Sequence, residues 1–514
     1  MPRSSHLIGI FLLGASPVIT AGEALKGDTV LCLRTDRVSP VGGSIRNYYT
    51  DGPSTVHFAD EASISSAGLT ADLEKFDSPI VVQEGTGHNS FGLTAESYYK
   101  LSPRTTVWGH AGYHSGTIHD VKFCDVIDYE SLAPFVLMDD TGGDLRFQRY
   151  DFGGGCNRTY DRWSIGAQAS YRAAIAHRWI DPRVRNIVSD LDVSLGAALT
   201  VGTHYMLGLD LGVKVYHQDT DVDFYNPASH AITMVYTGLG SVASRFKGAD
   251  AQSSAHRMTG FNASLRLVPK KKTDSYYAQI DGAVTNADLI LNGYNNLNFG
   301  TTTTGSFTAK LSRLFHFSHG ITMFPTLTGY VMSRVSTENI FGSSADNYVK
   351  IGERKNYHHD RYEVLADIPV AMDITHHNTV ITVGLKAGYA TEKEYLVEPV
   401  RRLATGCVIG GIVLDATKSF RNHWSIGAQV GYKGRFVSST SAEWGGLDLT
   451  TPEGMMCQSN YRISSSDISA GEALITLSRA FSSIALSLSA GYTRYDYGGI
   501  DDGNNFTAAL SVIF

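Results

Sequence analysis

Period-two alternation along long segments, a glycine-rich composition with few charges, and connections that alternate between short and long predict an all-β chain. The expected fold is a transmembrane antiparallel up-and-down β-barrel of about 16–18 strands, with short periplasmic turns and long extracellular loops. The 514 residues include 52 Gly against 14 Pro, 27 Tyr and 22 Phe, and only 18% are charged. A net charge of −7 without a concentrated basic face argues against a nucleic-acid partner, because phosphate binding needs such a face.

The amino terminus has the pattern of a secretory signal over residues 1–21. Arg3 precedes the short apolar run Leu7–Ala15, and Ile19-Thr20-Ala21 offers a small residue for cleavage. That run is too short to span a bilayer, and no later stretch is long enough for a helical span. Cys32 lies too far beyond it to serve as a lipid-attachment cysteine. Residues 22–88 alternate poorly and include the turn-rich Ser39-Pro40-Val41-Gly42-Gly43. They are expected to form either a periplasmic tail or a lumen-plugging segment with one possible strand, leaving 89–514 as the barrel.

Within that barrel the strand pattern is explicit. In Tyr205–Tyr216, Leu207, Leu209, Leu211, Val213 and Val215 share one face, while Met206, Gly208, Asp210, Gly212 and Lys214 share the other. Leu191, Val193, Leu195, Ala197 and Leu199 likewise oppose Asp192, Ser194 and Gly196, with Gly202-Thr203-His204 as the turn between the two segments. The design repeats at 261–284, 363–389 and 484–493. Counting gives about 17 segments, and even numbers are usual for single-chain bacterial barrels. Such segments are longer than sandwich strands and match the roughly 9–11 residues that a tilted membrane strand requires. Short links are expected near 102–104, 202–204, 269–274, 316–320, 373–378 and 480–482. Long links are expected near 119–143, 219–253, 291–303, 336–356 and 438–462.

The hexapeptide WSIGAQ occurs at Trp163–Gln168 and again at Trp424–Gln429, with Tyr171 and Tyr432 eight residues beyond each tryptophan. Eight tilted strand residues cover about 20 Å, close to the height between two aromatic girdles. Trp163, Tyr171, Trp424, Tyr432, Tyr492 and Phe514 are therefore assigned as membrane-interface aromatics. At the carboxy terminus, Phe506, Ala508, Leu510, Val512 and Phe514 alternate with Thr507, Ala509, Ser511 and Ile513. This resembles the aromatic-ended β-signal of bacterial outer-membrane proteins, and the whole chain resembles the large outer-membrane barrels of uncharacterised function found in Bacteroidetes-type bacteria. The resemblance implies outer-membrane location, surrounding lipid and the barrel-assembly machinery as partners. It supplies no substrate.

Five cysteines leave one over after pairing. Cys124 and Cys156, both in or beside one expected surface loop, form the candidate disulfide. Among 18 histidines, His110 and His114 share a strand face, but no carboxylate or cysteine completes a ligand set, so no metal or cofactor is assigned. His358-His359 and His376-His377 read as solvated positions. There is no G-x-S-x-G elbow, and Gly153-Gly154-Gly155, lacking the Lys-Ser/Thr of a phosphate loop, reads as a flexible loop. The chain is not expected to be an enzyme, although an outer-membrane hydrolase is a third reading. By parity, Gln168, Arg172, Asp192, Asp210, Lys214, Gln279, Asp281, Glu363, Asp367, Lys386, Gln429 and Lys433 are expected to face the lumen. There they would tune solute passage or pair with one another to stiffen the barrel. The leading expectation is uptake of a small solute, alone or with a partner. The alternative is a barrel that docks a surface lipoprotein or ligand through its loops.

Overall fold

The computed structural model describes residues 39–60, 62–226, 231–248, 252–272, 275–343, 348–374 and 378–514. The signal-like residues 1–21, Cys32 and His376-His377 lie outside them. Among the described residues, eighteen long strands form one antiparallel barrel, each paired with its neighbours in sequence. The seam closes where Ile64–Phe76 pairs both with Gly87–Ser102 and with the last strand, Asp502–Ile513. Ala67, for instance, sits opposite Ala95 on one side and Val512 on the other. The barrel thus begins at Ile64, not at residue 89, and this additional strand brings the count to an even number.

One row of each strand is apolar and exposed. On Tyr205–Asp223 the exposed row is Leu207, Leu209, Leu211, Val213 and Val215, and on Arg183–Val201 it includes Leu191, Val193 and Leu195. At about 1.5–3 kcal/mol per side chain, leaving five such residues in water would forgo roughly 10 kcal/mol on a single strand. Hydrocarbon around the barrel removes that penalty, while the closed ladder satisfies the backbone. The opposite row contacts chain segments folded inside and is the inner one. Several strands outrun a membrane crossing: Tyr348–Ile374 has 27 residues. The expected long loops at 291–303 and 336–356 are therefore mostly strand, since Leu297–Arg313 and Thr326–Ser343 extend into them.

Two bodies of chain fill the ends. At the short-turn end lies helix Pro40–Thr50, started by Ser39, whose Oγ accepts from the Gly42 N–H at 3.0 Å, with Pro40 in the first turn. Its buried Val41, Ile45, Tyr48 and Tyr49 recur at helical spacing and pack with Tyr98, Met206, Val268, Tyr277 and Phe324 of the wall. At the loop end, segments from 122–142 and 231–248 turn inward and form a small sheet, Val136–Met138 with Met234–Gly238 and Ser241–Val242. Its core includes Val136, Met138, Met234 and Tyr236, against Tyr216, Met258 and Tyr357 of the wall. Helix Pro452–Ser464 adds Met456 and Cys457 to this core. The Arg435 guanidinium holds the helix end by donating to the carbonyls of Ile463, Ser464 and Ser466.

Candidate functional site

The inner wall between the two bodies is ionic. Arg172 binds Asp128 of the inward loop in a two-pronged contact at 2.7 and 3.1 Å and reaches Asp190 at 3.3 Å. Lys214 meets the same Asp190 at 2.8 Å, and the Tyr216 hydroxyl donates to Asp128 at 2.7 Å. Asp192 lies opposite Lys214 in register and accepts from Ser194. Nearer the short turns, Asp210 accepts from the backbone N–H and the hydroxyl of Ser54, each at 2.8 Å, and pairs with the fully buried Arg266 at 2.8 Å. Gln279 donates to Asp281 and Asp51, and Lys310 pairs with Asp51. On the far wall, Glu363 pairs with Arg361, Asp367 with Lys386, and Lys433 with Glu472. Gln168 stands opposite Ser194, and Gln429 opposite Asp415.

The charged residues singled out by parity thus carry ion pairs, except Asp192 and Asp281, which accept hydrogen bonds. Their partners were only partly legible. Asp190 and Arg361 share strand and parity with Asp192 and Glu363. Asp128 lies in a loop, where parity has no meaning.

The inward loop 122–142 is fastened by residues that sequence reasoning missed. Arg178, just past strand Trp163–His177, is buried with Asp125 and Asp139, which bracket the loop. Its guanidinium lies 3.3 Å from Asp125, contacts Asp139, and donates to the Pro182 carbonyl. Burial, reinforced by the negative Asp139, pushes the Asp125 carboxyl well above the ordinary range. Burial acts the same way on Asp139, but Arg178, Asp125 and the Gly142 N–H outweigh it and leave Asp139 lowered and ionised. One buried cation thus faces two buried carboxyls whose proton affinities are driven apart, Asp125 upward and Asp139 downward.

The disulfide expectation is overturned: Cys124, Cys156, Cys407 and Cys457 are free. Cys124 is buried in the inward loop, its thiol donating to the Val126 carbonyl at 3.2 Å, and burial pushes its pKa up. Cys156 sits on the outer row of strand Gly143–Tyr160, opposite Val107, so the two thiols lie on opposite sides of the wall. The Gly153–Gly155 run is likewise not a loop but part of that strand. A Cβ at Gly153 would fall 2.2 Å from the His110 ring, which occupies the space.

Trp163, Tyr171, Tyr432, Tyr492 and Phe514 are exposed on the outer face, and Trp424 lies there under the Arg479 guanidinium at 5.1 Å. Among the described residues, one group could hold a metal ion: His359, Glu392 and Glu394, with donor atoms within 4.8 Å of one another. Its charges are already occupied. His359 meets Glu392 at 2.7 Å and Glu394 accepts from the Tyr357 hydroxyl at 3.0 Å, so a metal would have to break the first pair.

Two hollows border the wall. One of about 890 Å³ is an outer groove lined by Leu195, Leu211, Phe261 and Val284. The other, about 360 Å³ and partly open, lies under the inward loop, between Gln83, Glu84, His88, Ile118, Asp128, Glu130 and Phe147. It mixes carboxylates with apolar side chains and is large enough for a small ligand.

The sequence profile of a family of unknown function, DUF6850, matches residues 53–514. The chain belongs to that family. No curated protein matches the sequence. Among solved structures, the chain is similar to the ferric enterobactin receptor of Pseudomonas aeruginosa at 9% identity, covering 88% of this chain and 80% of that one, with a TM-score of 0.38. The ferric preacinetobactin receptor of Acinetobacter baumannii gives 8% identity, 88% and 80% coverage and 0.39, and the copper transporter OprC gives 9%, 88% and 81%, and 0.38. Similarity at this level supports no inference about what this barrel carries.

Proposed function

We propose that the chain is an outer-membrane barrel that admits a small solute through a lumen gated at both ends. The observation that carries this reading is the way the lumen is closed. Residues 39–60 and the loop 122–142 pack apolar side chains on the wall and are pinned there by two buried polar ties, Ser54–Asp210–Arg266 and Asp125–Arg178–Asp139, which are the points at which each can be loosened. The cavity beside Asp128 and Glu130 is the candidate resting place of the solute. Helix Pro452–Ser464 and segment 231–248 pack inward over the lumen, which favours a gate over a surface-docking barrel. Phe514 completes the seam through two backbone hydrogen bonds to Ser65, which suits a terminal strand read by the barrel-assembly machinery.

The test is solute uptake into liposomes. The full chain should be nearly closed, and variants released at either tie should admit small hydrophilic solutes. If releasing both ties leaves the vesicles impermeable, passage through the lumen is refuted.

A further inference from the structure

The outer face carries two differently built rims. At the loop end several cations sit beside carboxylates: Arg185 with Asp221 at 2.7 Å, Arg494 with Asp502 at 2.6 Å and Arg402 with Glu443 at 4.0 Å on the outside, and Arg354 with Glu398 at 2.7 Å on the inward row. Among the described residues Arg146 and Arg257 have none there, and Arg183 has both Asp181 and the Tyr225 ring. At the short-turn end the cations sit on aromatic rings instead. Arg313 lies 4.7 Å from the Tyr276 ring and 4.5 Å from Phe315, and Arg479 lies 5.1 Å from both Trp424 and Phe481. Lys418 lies over Phe420 at 5.5 Å and Arg158 over Tyr160 at 5.4 Å. All four cations are exposed, on the last residues of strands spread around the circumference. Among the described residues, none of the four has a carboxylate within ion-pair distance.

A cation at the edge of an apolar belt needs a counter-charge, and here the described residues provide only rings. An aromatic face favours the cation and fixes its plane without consuming its charge. A guanidinium so placed still directs N–H donors outward: Arg313 spends one on the Tyr276 hydroxyl at 2.9 Å and keeps the rest. The missing partner is therefore an anion lying in the plane of the belt, with an oxygen-rich head at the height of the rings and an apolar body along Ile165, Leu311 and Leu477 above them. We infer that the short-turn rim is a binding surface for anionic phospholipid, whose phosphate headgroups are held by Arg158, Arg313, Lys418 and Arg479. This rests on the membrane-barrel reading above. It adds a lipid preference and an orientation: the short-turn end faces the leaflet that supplies such lipid, whereas part of the loop-end rim meets its cations with the chain's own carboxylates.

The experiment inserts the full chain into phosphatidylcholine vesicles with and without phosphatidylglycerol and counts lipids retained after detergent extraction by native mass spectrometry. One variant replaces the four short-turn cations by Gln. A control variant replaces Arg185, Arg354, Arg402 and Arg494 by Gln. Heat-modifiable electrophoretic mobility verifies that each barrel is folded. The expected result is retention of phosphatidylglycerol over phosphatidylcholine, weakened by about fivefold per short-turn cation removed, reduced by salt, and preserved in the control. An absent preference in the unmodified chain, or equal loss in both variants, overturns the inference while leaving the barrel reading intact. A chain that enters neither vesicle overturns both.

Discussion

Replacing Arg178 with Met should release the inward loop. The side chain is 3% exposed and its two carboxylate partners are fully buried, so its removal leaves Asp139 as an uncompensated buried anion. Breaking a buried pair in this way costs about 3–5 kcal/mol. Asp139 can escape part of the cost by taking a proton, each unit of pKa rise absorbing about 1.4 kcal/mol, so the lower figure is the safer one. About 3 kcal/mol corresponds to a roughly 150-fold rise in the population of the undocked loop. Cys124 reports it directly, because its thiol is buried next to Asp125 when the loop is docked. In a chain keeping Cys124 as its sole cysteine, maleimide labelling relative to the denatured protein should accelerate by that factor. The pH profile follows from the two acids. Asp125 is raised, so the docked loop favours its proton, and docking weakens as pH rises through its docked value. Asp139 is lowered, so its contribution is present above its undocked value and is lost as pH falls through its docked value. Normalised labelling should pass through a minimum between the two. An unchanged labelling rate in the Arg178→Met chain would refute the assignment of Arg178 as the tie.

At the opposite end, Asp210→Ala strands the buried Arg266 and frees both Ser54 contacts at a cost of about 3–5 kcal/mol, so trypsin should cut at Arg46 in helix Pro40–Thr50 far faster than in the parent chain. Equal protection would place the hold on residues 39–60 elsewhere. Gly166→Ala should displace the same segment by sterics alone, since the new Cβ would stand 2.0 Å from the Pro53 carbonyl oxygen, and its proteolysis should match that of Asp210→Ala. Cys156, exposed on the outer row, should react in the inserted protein with a lipid-soluble maleimide and resist a sulfonated one. Rapid labelling by the sulfonated reagent would mean that water bathes this face.

The parts legible from sequence share one physical cause. Alternation appears where the two faces of a strand meet different surroundings, so the wall from Leu191 to Val215 could be sorted residue by residue. Above the apolar belt both faces meet water, and the pattern fades: Tyr348–Tyr357 looks like loop although it is the outer part of a 27-residue strand. The first strand was obscured for a related reason: its outer row, Ala67, Leu69, Ala71 and Leu73, is half alanine, which weakens the apolar signal even though Asp72 and Glu74 stand on the opposite row. Cys156 shows the same rule neglected: counted from Phe152, its parity places it on the outer face, away from any loop cysteine.

The ties that close the lumen lie beyond this signal altogether. Arg178 meets Asp125 and Asp139 across separations of 53 and 39 residues, and Ser54 meets Asp210 across 156. No periodicity encodes such meetings, since each joins an irregular segment to the wall. The same chemistry makes them suited to opening. Both inner bodies also bury apolar side chains on the wall, so displacement costs that packing as well, while the parted charges regain hydration. On the proposed gated reading, the buried charges Arg178 and Asp210 set how firmly each inner body is held, and they are residues whose partners period-two reading passes over.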